Sequence, residues 1–436
     1  MDKIFNRQQS MVIADVKVDG KPADIYVTDD GIIGAIGEGV RNDHRGDADL
    51  IIDGNGAVAL PGLVNTHTHA AMSLLRGYAD DMILQDWLSQ KIWPLEAHLT
   101  PGDIYWGTKL ACLEMIRTGT VAFNDMYFMM EEACRAVDEA GIRATLSYGF
   151  IDLFSSEKRE AECRATENLV RHIRSLNNPR ITAAVGPHAI YTVSPDGLKW
   201  CAEYAAEEKI GIHIHLAETE KEVVDCVAQH GKRPAPYLDD CGILTRRTVA
   251  AHCCWLDEAE CNLLGERGVS PSHNPSSNMK LATNRAMPYH WLAAAGANPC
   301  LGTDGCASNN NLDMFEEAKT AALLQKFFWN NPTLLPAPEA LAMAGKNGAK
   351  ALGLSTGHLT AGAPADLVLV STNVPCNTPL HNMASNLAYS CSGSAVETTI
   401  CNGAILMLER EIPNETEILA RAAEASRELV KRAQAA

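Results

Sequence analysis

The chain has 436 residues, 46% hydrophobic and 21% charged, and no apolar run approaches the roughly 20 residues that span a bilayer. This length exceeds one small domain and suits a barrel of about 250 residues plus a second unit. The net charge of −17 would repel phosphate backbones, and no stripe of Lys and Arg offsets it, which argues against nucleic acid and membranes as partners.

The first residues and the cysteines indicate the compartment. Residues 1 to 10 are polar and lack the apolar core and small-residue cleavage site of a signal peptide. The 14 cysteines include no Cys-x-x-Cys pair and stand in a long chain, not in a small secreted framework. We therefore predict reduced thiols and a cytoplasmic protein.

Short β-type segments open the chain at Met11 to Ile13, Ala23 to Val27 and Ile32 to Ile36, with Asp19-Gly20 and Asp30-Gly31 as turns between them. This spacing is typical of an antiparallel meander. It predicts a small β-domain, separate from the region that begins at Gly62.

From Gly62 onward, apolar β-runs alternate with helix-length amphipathic stretches. The eight runs are Gly62 to His69, Val121 to Tyr127, Ala144 to Phe150, Ile181 to His188, Ile210 to Ala217, Thr248 to His252, Val269 to His273 and Pro299 to Asp304. The helical patterns include Asp103 to Arg117, Met130 to Ala140, Cys163 to Leu176, Pro195 to Glu207 and Asp257 to Glu266. The order predicts an α/β fold with a (β/α)8 TIM-type barrel, whose active site lies at the C-terminal strand ends.

After the barrel, short β-segments return at Ala365 to Val370, Thr398 to Cys401 and Ala404 to Leu408, with Asn402-Gly403 as a hairpin turn. We expect both chain ends to form one flanking β-sandwich, with residues 1–60 plus 361–436 in it and 61–360 in the barrel. Helical spacing after Asn414 predicts a final helix that packs on the molecule or contacts another subunit, which leaves a homo-oligomer open.

The first β-run ends with two histidines, His67 and His69. Side chains two apart on a strand share a face, so both imidazoles point into the barrel mouth. Two converging neutral nitrogens suit Zn²⁺ or another borderline metal, although paired histidines also occur as hydrogen-bonded core residues.

Further metal-ligand residue types stand at other strand ends. Run five closes with His213-Ile-His215-Leu-Ala-Glu218 and run eight with Leu-Gly-Thr-Asp304-Gly. A third imidazole and a carboxylate would leave one position open for water. His213 lies two residues deeper, and we expect it to hydrogen-bond within the barrel.

His252 and His273 end the sixth and seventh runs, so both could face the site. We expect His252 to contact bound water and His273 to brace the loop that follows it.

These segments together resemble the amidohydrolase superfamily. The likeness rests on Pro-Gly-Leu-Val-Asn-Thr-His67-Thr-His69, His215-Leu-Ala-Glu218, Ala-Ala-His252-Cys, Ser-His273-Asn-Pro-Ser-Ser-Asn and Leu-Gly-Thr-Asp304-Gly-Cys-Ala-Ser. It runs from Gly62 to Lys326 and includes Gly362-Ala-Pro-Ala-Asp366-Leu-Val in the flanking domain. Within the superfamily the segments are most similar to the 5′-methylthioadenosine/S-adenosylhomocysteine deaminases, whose methanogen-type relatives act on 5′-deoxyadenosine.

The resemblance implies hydrolytic deamination of an adenosine-type nucleoside, with one divalent metal ion per subunit. Zn²⁺ is the expected ion, and Fe²⁺ and Mn²⁺ remain open. The implied ligands are His67, His69, His215 and Asp304. Asp304 would also accept the proton of the attacking water.

The same resemblance implies roles for the other site residues. Glu218 would be the acid and base facing the purine, and His252 would hold the attacking water. Glu96 would receive the ribose hydroxyls, and His188 would be a further substrate contact. Trp87 lies where the family places an aromatic ring over the substrate, although a Trp that anchors a loop explains it equally well.

Two positions depart from the family pattern. Members that accept S-adenosylhomocysteine carry two arginines after the third strand, and here Tyr148 takes the first position while Arg164 aligns with the second. Trp255 replaces a commoner histidine. These departures predict that compact 5′ substituents are preferred over the charged tail.

Three alternatives remain. A two-metal amidohydrolase would place a lysine at the end of the fourth run, where the chain reads Val185-Gly-Pro-His188. Another deaminase or dechlorinase would act on guanine, cytosine or a triazine. A catalytically inactive scaffold would usually have lost metal ligands, and all are present here.

Overall fold

The computed structural model describes residues 4 to 435. Within that range the strands form two sheets, a parallel barrel and a mixed flanking sheet. The strands are β1 (Met11–Val18), β2 (Lys21–Val27), β3 (Ile33–Gly37), β4 (Leu50–Pro61), β5 (Leu63–Thr68), β6 (Thr120–Tyr127), β7 (Arg143–Phe150), β8 (Ile181–Pro187), β9 (Gly211–Leu216), β10 (Thr248–His252), β11 (Ser270–His273), β12 (Cys300–Leu301), β13 (Leu367–Val370), β14 (Val396–Cys401) and β15 (Ala404–Met407).

The helices surround the barrel and connect its strands. They are α1 (Val40–His44), α2 (Leu84–Trp87), α3 (Trp93–Glu96), α4 (Pro101–Arg117), α5 (Met130–Ala140), α6 (Ser156–Ser175), α7 (Pro195–Glu208), α8 (Glu220–His230), α9 (Pro234–Asp240), α10 (Glu258–Arg267), α11 (Pro275–Lys280), α12 (Tyr289–Ala294), α13 (Met314–Phe328), α14 (Ala337–Ala344), α15 (Lys346–Ala351), α16 (Met383–Tyr389) and α17 (Glu415–Ala435). A 3₁₀ turn at Ala70–Leu75 and a π-helical turn at Leu88–Ile92 lie near the barrel mouth. No helix among the described residues is both long and apolar enough to cross a membrane.

Strands β5 to β12 pair in parallel and in chain order, as the eight apolar runs predicted. The barrel closes where the Asp304 N–H donates to the His67 carbonyl at 2.9 Å and the Thr66 hydroxyl donates to the Leu301 carbonyl at 2.8 Å. Both faces of these strands are covered, and every residue of β6 is buried. Burial on both faces explains why these strands do not alternate regularly between apolar and polar residues.

Strand β4 joins the two chain ends into one sheet, because it pairs in parallel with β1 and antiparallel with β13. The flanking domain is therefore one mixed sheet of order β15-β14-β13-β4-β1-β2-β3. Its residues enclose a separate apolar cluster that includes Ile13, Ile25 and Ile400. The sequence analysis had not identified β4, whose Asp53, Gly54 and Asn55 interrupt the apolar pattern with turn-forming residues.

The flanking sheet is bonded directly to the barrel. Arg143, at the start of β7, pairs with Asp366 at 2.8 Å, and its guanidinium also donates to the Asn402 side chain at 2.8 Å. Asn402 and Gly403 have φ values of 52° and 72°, as a tight turn between β14 and β15 requires. Only Gly62 lies between β4 of the flanking sheet and β5 of the barrel. The division into a flanking domain and a barrel domain at residues 60 and 361 stays a prediction.

The final helix α17 packs against α4 at its two ends. Arg432 pairs with Asp103, and Glu415 pairs with Arg117. Between them the Ser426 hydroxyl donates to the Leu74 carbonyl at 2.7 Å. The helix therefore packs on its own chain, as one of the two alternatives predicted.

Candidate active site

Four imidazoles and one carboxylate converge at the carboxyl ends of the barrel strands. The donor atoms of His67, His69 and Asp304 lie within 4.8 Å of one another, and so do those of His67, His215 and His252. Asp304 Oδ1 is 3.4 Å from Nε2 of both His67 and His69, and the Nε2 atoms of His69 and His215 are 3.3 Å apart. The four predicted ligands are thus brought together.

Backbone carbonyls orient two of the imidazoles. His69 Nδ1 donates to the Met126 carbonyl at 2.7 Å, and His215 Nδ1 donates to the His188 carbonyl at 2.7 Å. A carbonyl oxygen can only accept, so the proton of each neutral ring sits on Nδ1. Each Nε2 then presents its lone pair to the centre of the cluster, as metal ligation requires.

His67, the third predicted histidine ligand, is oriented by a side chain and not by a backbone carbonyl. Its Nδ1 lies 2.7 Å from Nε2 of His213, and both rings are fully buried. This confirms the prediction that His213 hydrogen-bonds within the barrel.

The donor set suits a divalent metal ion. His67 Nε2 is buried without a hydrogen-bond partner, which is costly for a polar atom unless a ligand binds it. Burial lowers the pKa of His67 and of His215, so both rings are neutral donors. Three neutral imidazoles and one carboxylate are a ligand set that Zn²⁺ and similar ions accept.

Asp304 is held in place by several short contacts. Its Oδ2 accepts the hydroxyls of Ser277 at 2.6 Å and Ser308 at 3.0 Å, and its Oδ1 accepts the Gly305 N–H at 2.7 Å. Burial acts to raise the pKa of Asp304, but the neighbouring imidazoles of His67, His252 and His69 outweigh it and hold that pKa well below its usual value.

The backbone is strained where the polar residues turn into the site. His252 and Asp304 adopt φ values of 72° and 64°, and Ala217, next to Glu218, adopts 48°. Residues other than glycine rarely adopt φ values in this left-handed region, and each such residue costs about 1–3 kcal/mol of folding free energy. Such strain is typical of positions where side-chain direction matters for function.

Glu218 and His252 face each other beside the cluster, with Glu218 Oε1 3.7 Å from His252 Nδ1. Burial raises the pKa of Glu218 well above its usual value, with further contributions from Asp304 and Glu222. Burial lowers the pKa of His252 to about 3. These shifts favour the protonated carboxyl group of Glu218 and the neutral imidazole of His252.

A cavity with about 740 Å³ of empty space, counting its open mouth, extends from this cluster toward solvent. Its wall includes four of the predicted substrate contacts, Trp87, Glu96, His188 and Glu218. Glu96 accepts the Tyr127 hydroxyl at 2.6 Å, and burial raises its pKa to about 7.

Trp87 satisfies both of the roles considered for it. Its indole N–H donates to the Ala79 carbonyl at 3.0 Å, which anchors the segment before α2, and its ring lines the cavity.

A second cavity, with about 1580 Å³ of empty space, lies at the opposite end of the barrel. Arg246, Arg247 and Lys350 are among its lining residues, which include no histidine or carboxylate. Without an imidazole or carboxylate it offers no ligands typical of a Zn²⁺ site, so the mouth at the carboxyl ends is the candidate active site.

Comparison with known proteins agrees with this geometry. Residues 58–406 match the model of the amidohydrolase family. The chain belongs to this family. Its (β/α)8 barrel, its His and Asp cluster and its metal dependence are accordingly those of an amidohydrolase.

Among curated amidohydrolase-family relatives, a 5′-deoxyadenosine deaminase of Methanoregula boonei is 70% identical over 431 residues, which are 99% of this chain and 98% of the relative. A 5-methylthioadenosine/S-adenosylhomocysteine deaminase 1 of Archaeoglobus fulgidus is 49% identical over 385 residues, which are 88% of this chain and 90% of the relative. The solved structure of an adenosine deaminase from Xanthomonas campestris with bound zinc has a TM-score of 0.89 and 35% identity, and the match covers 99% of this chain and 100% of that one.

Two predicted contacts of this amidohydrolase lie away from the cavity wall. Arg164 stands in the middle of α6, which begins at Ser156, and its side chain is 65% exposed and 3.8 Å from Glu160. Tyr148 donates its hydroxyl to Glu162 at 3.3 Å. The predicted helix began at Cys163, because the exposed first turns of α6 carry no apolar periodicity.

Sequence reasoning missed several supporting groups. Glu222 accepts the N–H of Ala217 and the N–H of Glu218, each at 2.9 Å, and so holds the turn that carries Glu218. The sequence feature that could have identified Glu222 is Thr219, three residues earlier, which is a typical N-cap residue and begins α8. Tyr127, the partner of Glu96, ends the second predicted run. Its place at a strand end could have identified it as a site residue, as it did for the metal ligands.

Trp255, the other departure from the family pattern, has a structural role. Its indole N–H donates to the Thr283 carbonyl at 2.8 Å, and the Arg285 guanidinium lies 4.7 Å from the ring centre. These contacts brace the loop that follows β11.

Proposed function

We propose that this amidohydrolase removes the 6-amino group of adenosine-type nucleosides by hydrolysis, releasing ammonia and the inosine analogue, and that it prefers a small uncharged 5′ substituent. The observation that carries the proposal is the placement of Glu218, His252 and the ligand cluster at the inner end of one cavity, with Glu96 on the same wall. Relatives named as deaminases of 5′-deoxyadenosine and of 5′-methylthioadenosine support the reaction.

His67, His69, His215 and Asp304 would hold a single ion, and Zn²⁺ is the proposed one. The zinc in the related adenosine deaminase structure supports that choice. When bound, such an ion lowers the pKa of water toward neutrality and so supplies hydroxide for attack on carbon 6.

The protein's own residues would move the protons. Asp304, ionised because its pKa is low, accepts a proton from the attacking water. Glu218, protonated because its pKa is raised, donates to ring nitrogen N1 as carbon 6 becomes tetrahedral. The proton on Asp304 then leaves with the amino group as ammonia, and the proton of the new hydroxyl group on carbon 6 returns to Glu218 as the product carbonyl forms. Neutral His252 orients the attacking oxygen.

The cavity wall favours a neutral nucleoside. Glu96, with Tyr127 beside it, offers an oxygen to ribose hydroxyls, and His188 and Trp87 contact the substrate. The wall carries Leu88, Trp93, Phe128 and Ile151 toward its outer part, and its lining residues include no Lys or Arg. A carboxylate or phosphate at the 5′ position would have to move from water into the cavity without a cationic partner, which is strongly unfavourable.

A substrate panel tests the proposal. Loss of adenine absorbance and release of ammonia are measured for 5′-deoxyadenosine, 5′-methylthioadenosine, adenosine, S-adenosylhomocysteine and free adenine. We expect kcat/KM for S-adenosylhomocysteine to be about 10- to 100-fold below that of the two compact substrates, since one charge-assisted hydrogen bond contributes about 1.5–3 kcal/mol. Glu96→Gln, compared with the parent, should narrow the gap between nucleosides and free adenine.

Two outcomes would contradict the proposal. A kcat/KM for S-adenosylhomocysteine equal to or above both compact substrates refutes the substituent preference. A metal-loaded protein that releases no ammonia from any member of the panel refutes the reaction and favours the inactive-scaffold alternative.

We also propose a reduced, cytoplasmic location. All 14 cysteines are free thiols, and twelve of them are buried, as expected of small core side chains. Oligomeric state stays a prediction, and light scattering on the purified protein measures it.

A further inference from the structure

The three histidines of the ligand cluster differ in what orients them. His69 and His215 each donate Nδ1–H to a backbone carbonyl at 2.7 Å, and no side-chain substitution can remove those acceptors. His67 has a side-chain partner, His213, at the same distance. The orientation of His67 therefore depends on a group that substitution can remove.

His213 is placed for this contact by the pleat of β9. It stands two residues before His215, so the two side chains lie on the same face of the strand, one layer apart. Its ring meets that of His67 edge to face, with centroids 4.9 Å apart and planes at 89°. Both residues are 0% exposed, and water cannot replace the contact.

We propose that His213 is the positioning residue of the metal site, accepting the Nδ1 proton of His67 so that His67 Nε2 keeps its lone pair for the ion. This rests on the proposed function only in taking His67 as a ligand. One ring must donate and the other accept across 2.7 Å. The reverse direction would place the His67 proton on Nε2, where it would block ligation.

This direction sets the tautomer of His213 as well. With its Nε2 accepting, neutral His213 carries its proton on Nδ1, an atom buried without a hydrogen-bond partner. A hydrogen-bond acceptor at the Nε2 position of residue 213 is the feature that matters, and an imidazole is one way to supply it.

The test compares substitutions that keep or remove this acceptor. His213→Phe removes it, His213→Asn retracts it, and His213→Gln returns an amide oxygen near the Nε2 position. Zinc affinity is measured by chelator competition, and the Co²⁺-substituted proteins are compared by absorption spectrum. We expect His213→Phe and His213→Asn to bind zinc about 10- to 100-fold more weakly, with an altered Co²⁺ spectrum, and His213→Gln to recover most of the affinity.

His273→Phe is the matched control. His273 is also a fully buried histidine at a strand end, but its Nε2 contacts Gln325 at 3.4 Å, not a ligand side chain. We expect the zinc affinity of His273→Phe to stay within about threefold of the parent, because metal binding weakens when a contact that orients a ligand is lost, and the His273 side chain makes no such contact. If His213→Phe does not fold, the comparison of His213→Asn with His213→Gln carries the same information.

Two results would overturn the inference: zinc binding in all three His213 variants equal to the parent, or an equal loss in His273→Phe. Failure of the proposed function has a different signature. In that case the parent binds zinc and shows the His213 effect on affinity, yet releases no ammonia from the nucleoside panel.

Discussion

The inner and outer ends of the cavity are built in different ways. At the inner end, polar atoms stand on strand ends and each is held by a second group, as Asp304 is by two serine hydroxyls and His215 by a carbonyl. At the outer end, the wall is apolar and comes from short helical turns such as Leu88–Ile92. Trp93 on this wall is 48% exposed.

This difference indicates where each kind of specificity resides. Groups fixed on a barrel tolerate little displacement, which is what bond-making chemistry needs. Loops and turns vary at lower cost, which is what a choice among 5′ substituents needs. Substitutions at the inner end should therefore abolish the reaction for every substrate, whereas those at the outer end should change the ranking of substrates.

The largest effect is expected from removing a ligand. His215→Ala or Asp304→Ala should lose the metal and reduce activity by roughly 10³-fold or more for all substrates, since a Lewis-acid ion contributes several kcal/mol. Metal analysis of the purified protein should find about one ion per chain in the parent. Replacing the exposed His358 with Ala is the control, and two tightly bound ions per chain would refute the mononuclear site.

Removing the acid while keeping its shape should have the next largest effect. Glu218→Gln cannot deliver a proton, so kcat should fall by roughly 10²- to 10⁴-fold with the metal retained. Because burial raises the pKa of Glu218 above its usual value, the parent should lose activity as the pH rises through that pKa and the carboxyl group gives up its proton. A pH profile of the variant should lack this alkaline limb. Near-normal turnover in Glu218→Gln would mean that another group is the acid.

The smallest effect is expected at Arg164, which lies away from the cavity wall. Its side chain is 65% exposed and paired with Glu160, and exposed pairs contribute about 0–1 kcal/mol. Arg164→Ala should therefore leave kcat/KM for S-adenosylhomocysteine within about threefold of the parent. Tyr148→Arg, whose parent residue contacts Glu162, should raise that value slightly. Selective loss of S-adenosylhomocysteine turnover in Arg164→Ala would show that α6 does reach the substrate tail.

Sequence reasoning located the inner end well because its signals are local. His67 and His69 share one strand face by spacing alone, and the other ligands stand at the ends of apolar runs. The roles of Glu96, His188 and Trp87 came from family resemblance, and all three residues line the cavity. Strand β4 was missed since its turn-forming residues interrupt the apolar pattern.

The sequence by itself determined the barrel and the convergence of its ligands, because burial on both faces makes each strand an apolar run and parallel strands end at one edge. Only the tertiary structure decided which side chains contact one another across the barrel. The contact of His67 with His213 joins residues 146 apart in the chain. The separation of Arg164 from the cavity depends on how α6 packs, and Tyr148 on β7 turns toward that helix, where its hydroxyl donates to Glu162. Such contacts follow from barrel closure and helix packing, which no local spacing encodes.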